Sequence, residues 1–135
     1  MEGSTRGDVS RESIQGFFDL YAERYMAFDA DAIASMYEVP FLAVREGRSI
    51  HLGDAGAARE HLVGLMDAYR NSGARQVTIA DLQITLIDRT SALATLRWHA
   101  IGDDGALLRA FGTSYQILRQ EPPGWRIISY TYHDN

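Results

Sequence analysis

Two periodicities divide the chain. Before Gly73 apolar side chains recur every three or four residues, the spacing of a helical stripe, and from Arg75 onward they alternate as in half-buried strands. Ile14, Phe17, Tyr21, Tyr25 and Phe28 mark the buried stripe of a first helix, which Phe18 and Met26 widen and Ser10 can cap. Residues 1–9 are polar and Gly-containing and read as a flexible tail. Asp29 or Asp31 can cap a short second helix carrying Ile33, Met36 and Tyr37, which Pro40 stops. The segment from Pro40 to Leu52 reads as a small hairpin turning at Glu46–Gly47. A third helix follows Asp54, with Ala58, Leu62, Leu65 and Tyr69 on one face, and ends at Asn71-Ser72-Gly73.

Strands are expected near 77–87, 91–101, 106–119 and 125–133, separated by turns at Asp88–Thr90, at 102–105 and at 120–124. Val77 and Ile79 share one parity while Leu82, Ile84 and Leu86 share the other, so a β-bulge is expected at Ala80–Asp81. Placing Ile101 opposite Ala106, and Leu118 opposite Trp125, assembles two rows of side chains. One row is large and aromatic: Leu82, Ile84, Leu86, Leu96, Trp98, Arg109, Phe111, Thr113, Tyr115, Ile117, Ile128, Tyr130 and Tyr132. The other is flatter: Thr95, Arg97, His99, Ala110, Gly112, Ser114, Gln116, Trp125, Ile127, Ser129, Thr131 and His133. The first suits packing under the helices. The second suits burial against another copy, so a homodimer through the sheet is expected. A one-residue slip in the 102–105 hairpin would exchange the roles of Trp98 and the Arg97/His99 pair. Helices followed by a meander make an α+β fold.

Composition narrows the function. At 135 residues the chain suits one domain, spanning 10–135 behind the tail. A net charge of −5 without a Lys/Arg cluster argues against nucleic acid and anionic membranes. The absence of cysteine removes thiol chemistry and disulfides. The polar N-terminus lacks a signal-peptide core and no run is long enough to span a bilayer, so a cytoplasmic protein is expected. His51, His61, His99 and His133 are dispersed without metal-ligand spacing, and no cofactor loop occurs, so neither metal nor cofactor is expected.

The segment FDADAIASMY (28–37), the Gly-Trp-Arg-Ile-Ile strand (124–128) and the strand pair around RWHAI and TSYQILR carry a resemblance. They are similar to the nuclear transport factor 2-like superfamily, which includes SnoaL-like polyketide cyclases, ketosteroid isomerases, scytalone dehydratase and limonene epoxide hydrolase. The resemblance covers about residues 10–133. It implies a cystatin-like, cone-shaped curved antiparallel sheet wrapped around N-terminal helices, with a pocket at the open end. Carried over from ketosteroid isomerase, the first-helix oxyanion tyrosine falls on Tyr21. The general-base aspartate falls near Arg45, leaving Glu46 as the nearest base, and the protonated aspartic acid falls near Thr113 or Ser114. The Arg-x-Asp of the epoxide hydrolases meets Arg97-Trp98-His99, where the acid is missing.

The pocket candidates are Tyr21, Tyr25, Trp98, Arg109, Thr113, Tyr115, Tyr130 and Tyr132, a polar-tipped aromatic lining suited to flat, mostly apolar molecules with a few oxygens. Arg109 on an aromatic row must snorkel, pair with an acid or hold an anion. His61, beside Glu60, reads as a solvated charge, and Gly112 as a bend or bulge. Two functions remain open. One is a SnoaL-like pocket protein with isomerase, cyclase or hydrolase chemistry on a hydrophobic oxygenated metabolite, in which Tyr21 and Arg109 polarise a substrate oxygen. The other is a non-catalytic ligand-binding or dimerisation module.

Overall fold

The computed structural model describes residues 2–120 and 124–133. Helix α1 (Glu2–Met26) is followed by α2 (Ala30–Ala34), β1 (Tyr37–Arg45), β2 (Arg48–Leu52), α3 (Ala55–Asn71), β3 (Gln76–Leu86), β4 (Ser91–Ile101), β5 (Leu107–Gln120) and β6 (Gly124–His133). The six strands form one curved, open sheet in the order β2-β1-β6-β5-β4-β3, antiparallel except where β1 runs parallel to β6. The helices lie on its inner face. Among the described residues no helix is long and apolar enough to cross a membrane.

The helix reading holds with shifted ends. The backbone of residues 2–9, expected as a tail, continues α1, and Ser10 lies inside the helix rather than capping it. Ile14, Phe18, Tyr21 and Ala22 form its buried stripe, flanked by the partly buried Phe17, Tyr25 and Met26. The helix stops in a Schellman turn: Asp29 N–H donates to Arg24 C=O and Phe28 N–H to Tyr25 C=O. Phe28 takes the left-handed position at φ 55°, a costly conformation for a bulky residue, and its ring packs under the Arg70 guanidinium at 4.1 Å. Of the two capping candidates Asp29 is used, accepting from Ala32 N–H. The short helix ends before Met36, and Tyr37 begins β1 instead of belonging to α2. Pro40 sits within β1 after a cis peptide bond. The expected hairpin turns at Glu46 (φ 52°) and Gly47 (φ 74°), the two positive angles of a two-residue turn that follows the sheet twist. Asp54 caps α3 through Ala57 N–H.

In the meander, the bulge expected at Ala80–Asp81 is present between Ile79 and Asp81. Trp98 faces Phe111 rather than Arg109, and Ala100 faces Arg109. This differs from the expected register by two residues, and a displacement of two preserves which side chains share a face. The aromatic row is therefore interior as far as Ile117, and Arg97 and His99 lie on the outer face.

β6 departs from the expectation. Thr113–Gln116 pair with Ser129–Tyr132, but Ile117 pairs with Ile127 and Arg119 with Trp125, so Ile128 is an extra residue in the strand. Beyond this bulge the parity reverses. Trp125 and Ile127, expected on the outer face, are 5% and 0% exposed in the core, and Ile128 leaves the inner row. The Trp125 indole donates to Ser13 Oγ at 2.9 Å, tying β6 to α1. The expected sheet contact between copies thus loses its two largest apolar residues. Gly112 is no bulge either. It pairs regularly with Arg97 and His133, and a Cβ there would collide with the His133 imidazole, so the ring lies directly over the glycine.

The reversal separates two neighbouring isoleucines. Ile127→Ala is expected to cost about 2–5 kcal/mol by creating a core cavity. Ile128→Ala should cost clearly less in the same denaturant titration, and equal losses would contradict the bulged register.

Candidate functional site

α1 fills only part of the inner face. Beside Tyr21 and Tyr25, between the open end of the sheet and α3, lies a cavity of about 360 Å³. All eight candidates from the sequence line it: Tyr21, Tyr25, Trp98, Arg109, Thr113, Tyr115, Tyr130 and Tyr132. Tyr37, Arg45, Leu65, Ala68, Tyr69, Ser72, Val77, Ala100, Leu108 and Phe111 complete the wall. Every one of the chain's seven tyrosines is included. Among the described residues no Asp or Glu lines it.

Each element supplies its share by periodicity. Tyr21 and Tyr25 are one helical turn apart on α1 and stack at 5.9 Å. Alternate residues bring Trp98 and Ala100 from β4, Thr113 and Tyr115 from β5, and Tyr130 and Tyr132 from β6. Leu108 joins them because the register shifts between Ala100 and Ile101, leaving it unpaired. From α3, Leu65, Ala68, Tyr69 and Ser72 recur at helical spacing and close the far wall.

The hydroxyls at the inner end satisfy one another. Tyr21 and Tyr37 share a hydrogen bond of 2.7 Å. Burial raises both phenols well above their ordinary range, and raises Tyr25 and Tyr115 as well. Hydrogen bonds from Tyr21, Thr113 and Trp98 to the Tyr115 oxygen partly oppose its shift. These phenols stay protonated at neutral pH. Tyr69, pushed up to about 12 by burial, meets Tyr25 edge-on at 5.3 Å, while its hydroxyl has no hydrogen-bond partner among the described residues. A buried hydroxyl without a partner is an exception to the usual pairing of buried polar groups.

A polar cluster stands at the other end. His61 Nε2 lies 2.6 Å from Tyr130 Oη. Burial raises the Tyr130 phenol, and an Arg45 hydrogen bond and charge partly counter this. Burial first, and the Arg45 charge second, hold His61 below its ordinary range. The arrangement that uses every group has Arg45 donating to Tyr130 Oη and Tyr130 donating to a neutral His61. Arg45 also lies over the Tyr132 ring at 4.3 Å, and Arg109 over the same ring at 5.3 Å.

His61 is therefore a half-buried partner of the cavity wall rather than a solvated charge, although it does not itself line the cavity. Glu46, the base nearest the family position, is exposed at the β1–β2 turn and outside the wall. His51 is exposed on β2, and His99 and His133 lie on the outer face, where His133 Nε2 is 3.2 Å from Ser114 Oγ. Tyr37, Arg45 and Tyr69 were not among the candidates. Arg45 had a usable signal, being where the family base falls. Among the described residues no three His, Asp or Glu gather in a way that could hold a metal.

An α-helix-backed curved sheet with an aromatic cavity at its open end defines a class, and sequence comparison names the family. The model described as NTF2-like protein (DUF6841) matches residues 11–135, and the chain belongs to that NTF2-like family. The fold is similar to an NTF2-like protein with a cystatin-like fold from Novosphingobium aromaticivorans, at 17% identity and TM-score 0.72, covering 97% of this chain and 85% of that one. It is also similar to a Mycobacterium tuberculosis protein of unknown function, at 17% identity and TM-score 0.72, covering 98% and 75%. A Nostoc punctiforme protein of unknown function with a cystatin-like fold has TM-score 0.74 at 9% identity, covering 93% and 90%. No curated protein matches.

The depressed histidine makes a signed prediction. His61 should titrate below about 6.5, its unperturbed value, in a proton NMR titration of the imidazole. Because its folded value is the lower one, this contribution to stability is complete above the unfolded value and is lost as pH falls through the folded value. The melting temperature of the protein should therefore fall between pH 7 and pH 5, and His61→Gln should flatten that fall.

Proposed function

We propose that this protein binds a small, flat, mostly apolar molecule bearing a few oxygens, in the cavity between α1, α3 and the open end of the sheet. The observation that carries this reading is the convergence of all seven tyrosines on the wall of one cavity. Its volume of about 360 Å³ falls at the lower end of small-molecule sites. The unsatisfied Tyr69 hydroxyl supports it further, since a core built only for packing would pair or omit that group. The same eight residues expected from the sequence serve here as ligand contacts.

A second reading is catalytic, and the Tyr130–His61 hydrogen bond favours it. In it Tyr130 Oη takes a proton from the ligand as its own proton passes to Nε2 of neutral His61, which becomes the imidazolium. Among the described residues none of the lining side chains is a carboxylate, and binding is the leading reading.

Ala68, exposed on α3 at the cavity wall, offers a test that leaves the core intact. A thermal-shift screen of apolar ketones, phenols and acids should yield ligands that raise the melting temperature. Ala68→Trp, which fills the opening, should abolish those shifts while the ligand-free melting temperature stays close to the original. Shifts that survive the filled opening would place the binding elsewhere.

A further inference from the structure

The direction of the Tyr130 proton decides what the cavity asks of a guest. Tyr130 lines the cavity from β6, and His61, behind that wall on α3, brings Nε2 to 2.6 Å from its hydroxyl. Arg45, the other group that acts on this oxygen, lines the cavity as well. A guanidinium carries donors only, whereas a neutral imidazole has one bare nitrogen that accepts. Of the two, only His61 can take the Tyr130 proton. The oxygen is then left with lone pairs alone to offer a guest. It shares its surroundings with other phenols of the wall: the Tyr25 hydroxyl is close enough to those of Tyr115, Tyr130 and Tyr69, and to the Arg45 charge, to be shifted by each.

We infer that the ligand is a phenol or enol, an aromatic or conjugated molecule whose hydroxyl donates to Tyr130 Oη while neutral His61 holds the tyrosine proton away from the cavity. It rests on the binding function proposed above and specifies its chemistry. A carbonyl in the same place would set one lone pair against another and leave a polar group unpaired. Protonation of His61 reverses the preference. Nε2 then becomes a donor, the tyrosine proton is released toward the cavity, and Tyr130 suits a carbonyl. Burial and the Arg45 charge hold His61 below its ordinary range, so the state that accepts a hydroxyl is the one present at neutral pH. The groups that bear on His61 are Arg45 and the Phe41 ring from β1 and Tyr130 from β6. Glu60 beside it on α3, Asp31 on α2, and Arg48 and His51 on β2 are exposed.

The experiment compares 2-naphthol with 2-naphthaldehyde by isothermal titration calorimetry. Both are flat and uncharged, the first offering an O–H and the second only a carbonyl. The chain contains no lysine, so the aldehyde forms no side-chain imine. At pH 7.5 the naphthol should bind about fivefold more tightly or better, the effect of one hydrogen bond made rather than left open. His61→Phe keeps a ring behind the wall but removes the acceptor, and it should abolish or invert that ratio at the same pH. In proton NMR titrations of the unaltered protein, naphthol should move the His61 midpoint down and naphthaldehyde should move it up. Each ligand favours the protonation state that it binds better. This titration needs no variant, so the test stands even where His61→Phe fails to fold. Equal affinities, tighter binding of the aldehyde at pH 7.5, a ratio unchanged in folded His61→Phe, or a midpoint moved the same way by both compounds would overturn the hydroxyl assignment while leaving the binding function standing. Binding of neither compound would overturn the assignment too, and a thermal-shift screen that also finds no ligand would overturn the binding function with it.

Discussion

A six-stranded sheet curved over one long helix encloses more space than that helix can fill, and the rest of the architecture answers this constraint. At one part of the inner face Ile14 and Phe18 of α1 meet the sheet and leave no gap. Toward the open end the next turns of α1 carry Tyr21 and Tyr25, and the facing strands answer with Tyr37, Tyr115, Tyr130 and Tyr132. Tyrosine meets both demands of such a boundary. Its ring contributes apolar area comparable to phenylalanine, and its hydroxyl tolerates contact with a polar guest. The condition is that buried hydroxyls find partners. The Tyr21–Tyr37 pair, the contacts to Tyr115 and the Tyr130–His61 bond meet it with side chains, while Tyr69 leaves one group over.

Arg45 connects this lining to its electrostatics. One side chain covers Tyr132, brings its charge to Tyr130 and adds to the burial that lowers His61, so that three elements share a single cation. Arg109 reaches the same Tyr132 ring from β5, at 5.3 Å.

Much of this was legible in the alternation of residues, and what was illegible has a definite cause. Faces depend on parity alone, so pairing Trp98 with Phe111 instead of Arg109 left every member of the aromatic row in place up to Ile117. The extra residue at Ile128 changes parity, and it turned Trp125 and Ile127 inward against the expectation. No turn residue announces that bulge, because the energy that sets it is tertiary: the Trp125 indole reaches Ser13 on α1 and Ile127 enters the core. The lining residues that escaped notice are those whose neighbours are remote in sequence. His61 meets Tyr130, Tyr69 meets Tyr25, and Arg45 meets Tyr132 across the sheet, and each looks like an ordinary surface or helix-face residue when read locally.

The same geometry restricts what chemistry the cavity can support. Proton abstraction beside a carbonyl needs a base within reach of the ligand, yet Glu46 is held out at a hairpin whose two positive φ angles turn the chain back at once. The phenols of the wall are shifted the wrong way for bases, since burial favours their neutral forms. His61 is the one group near the wall shifted toward availability as a neutral base, and it stands behind Tyr130 rather than in the cavity. A proton exchanged between a ligand and His61 through this hydrogen bond passes by way of Tyr130 Oη, whose phenol burial raises and the Arg45 charge only partly lowers.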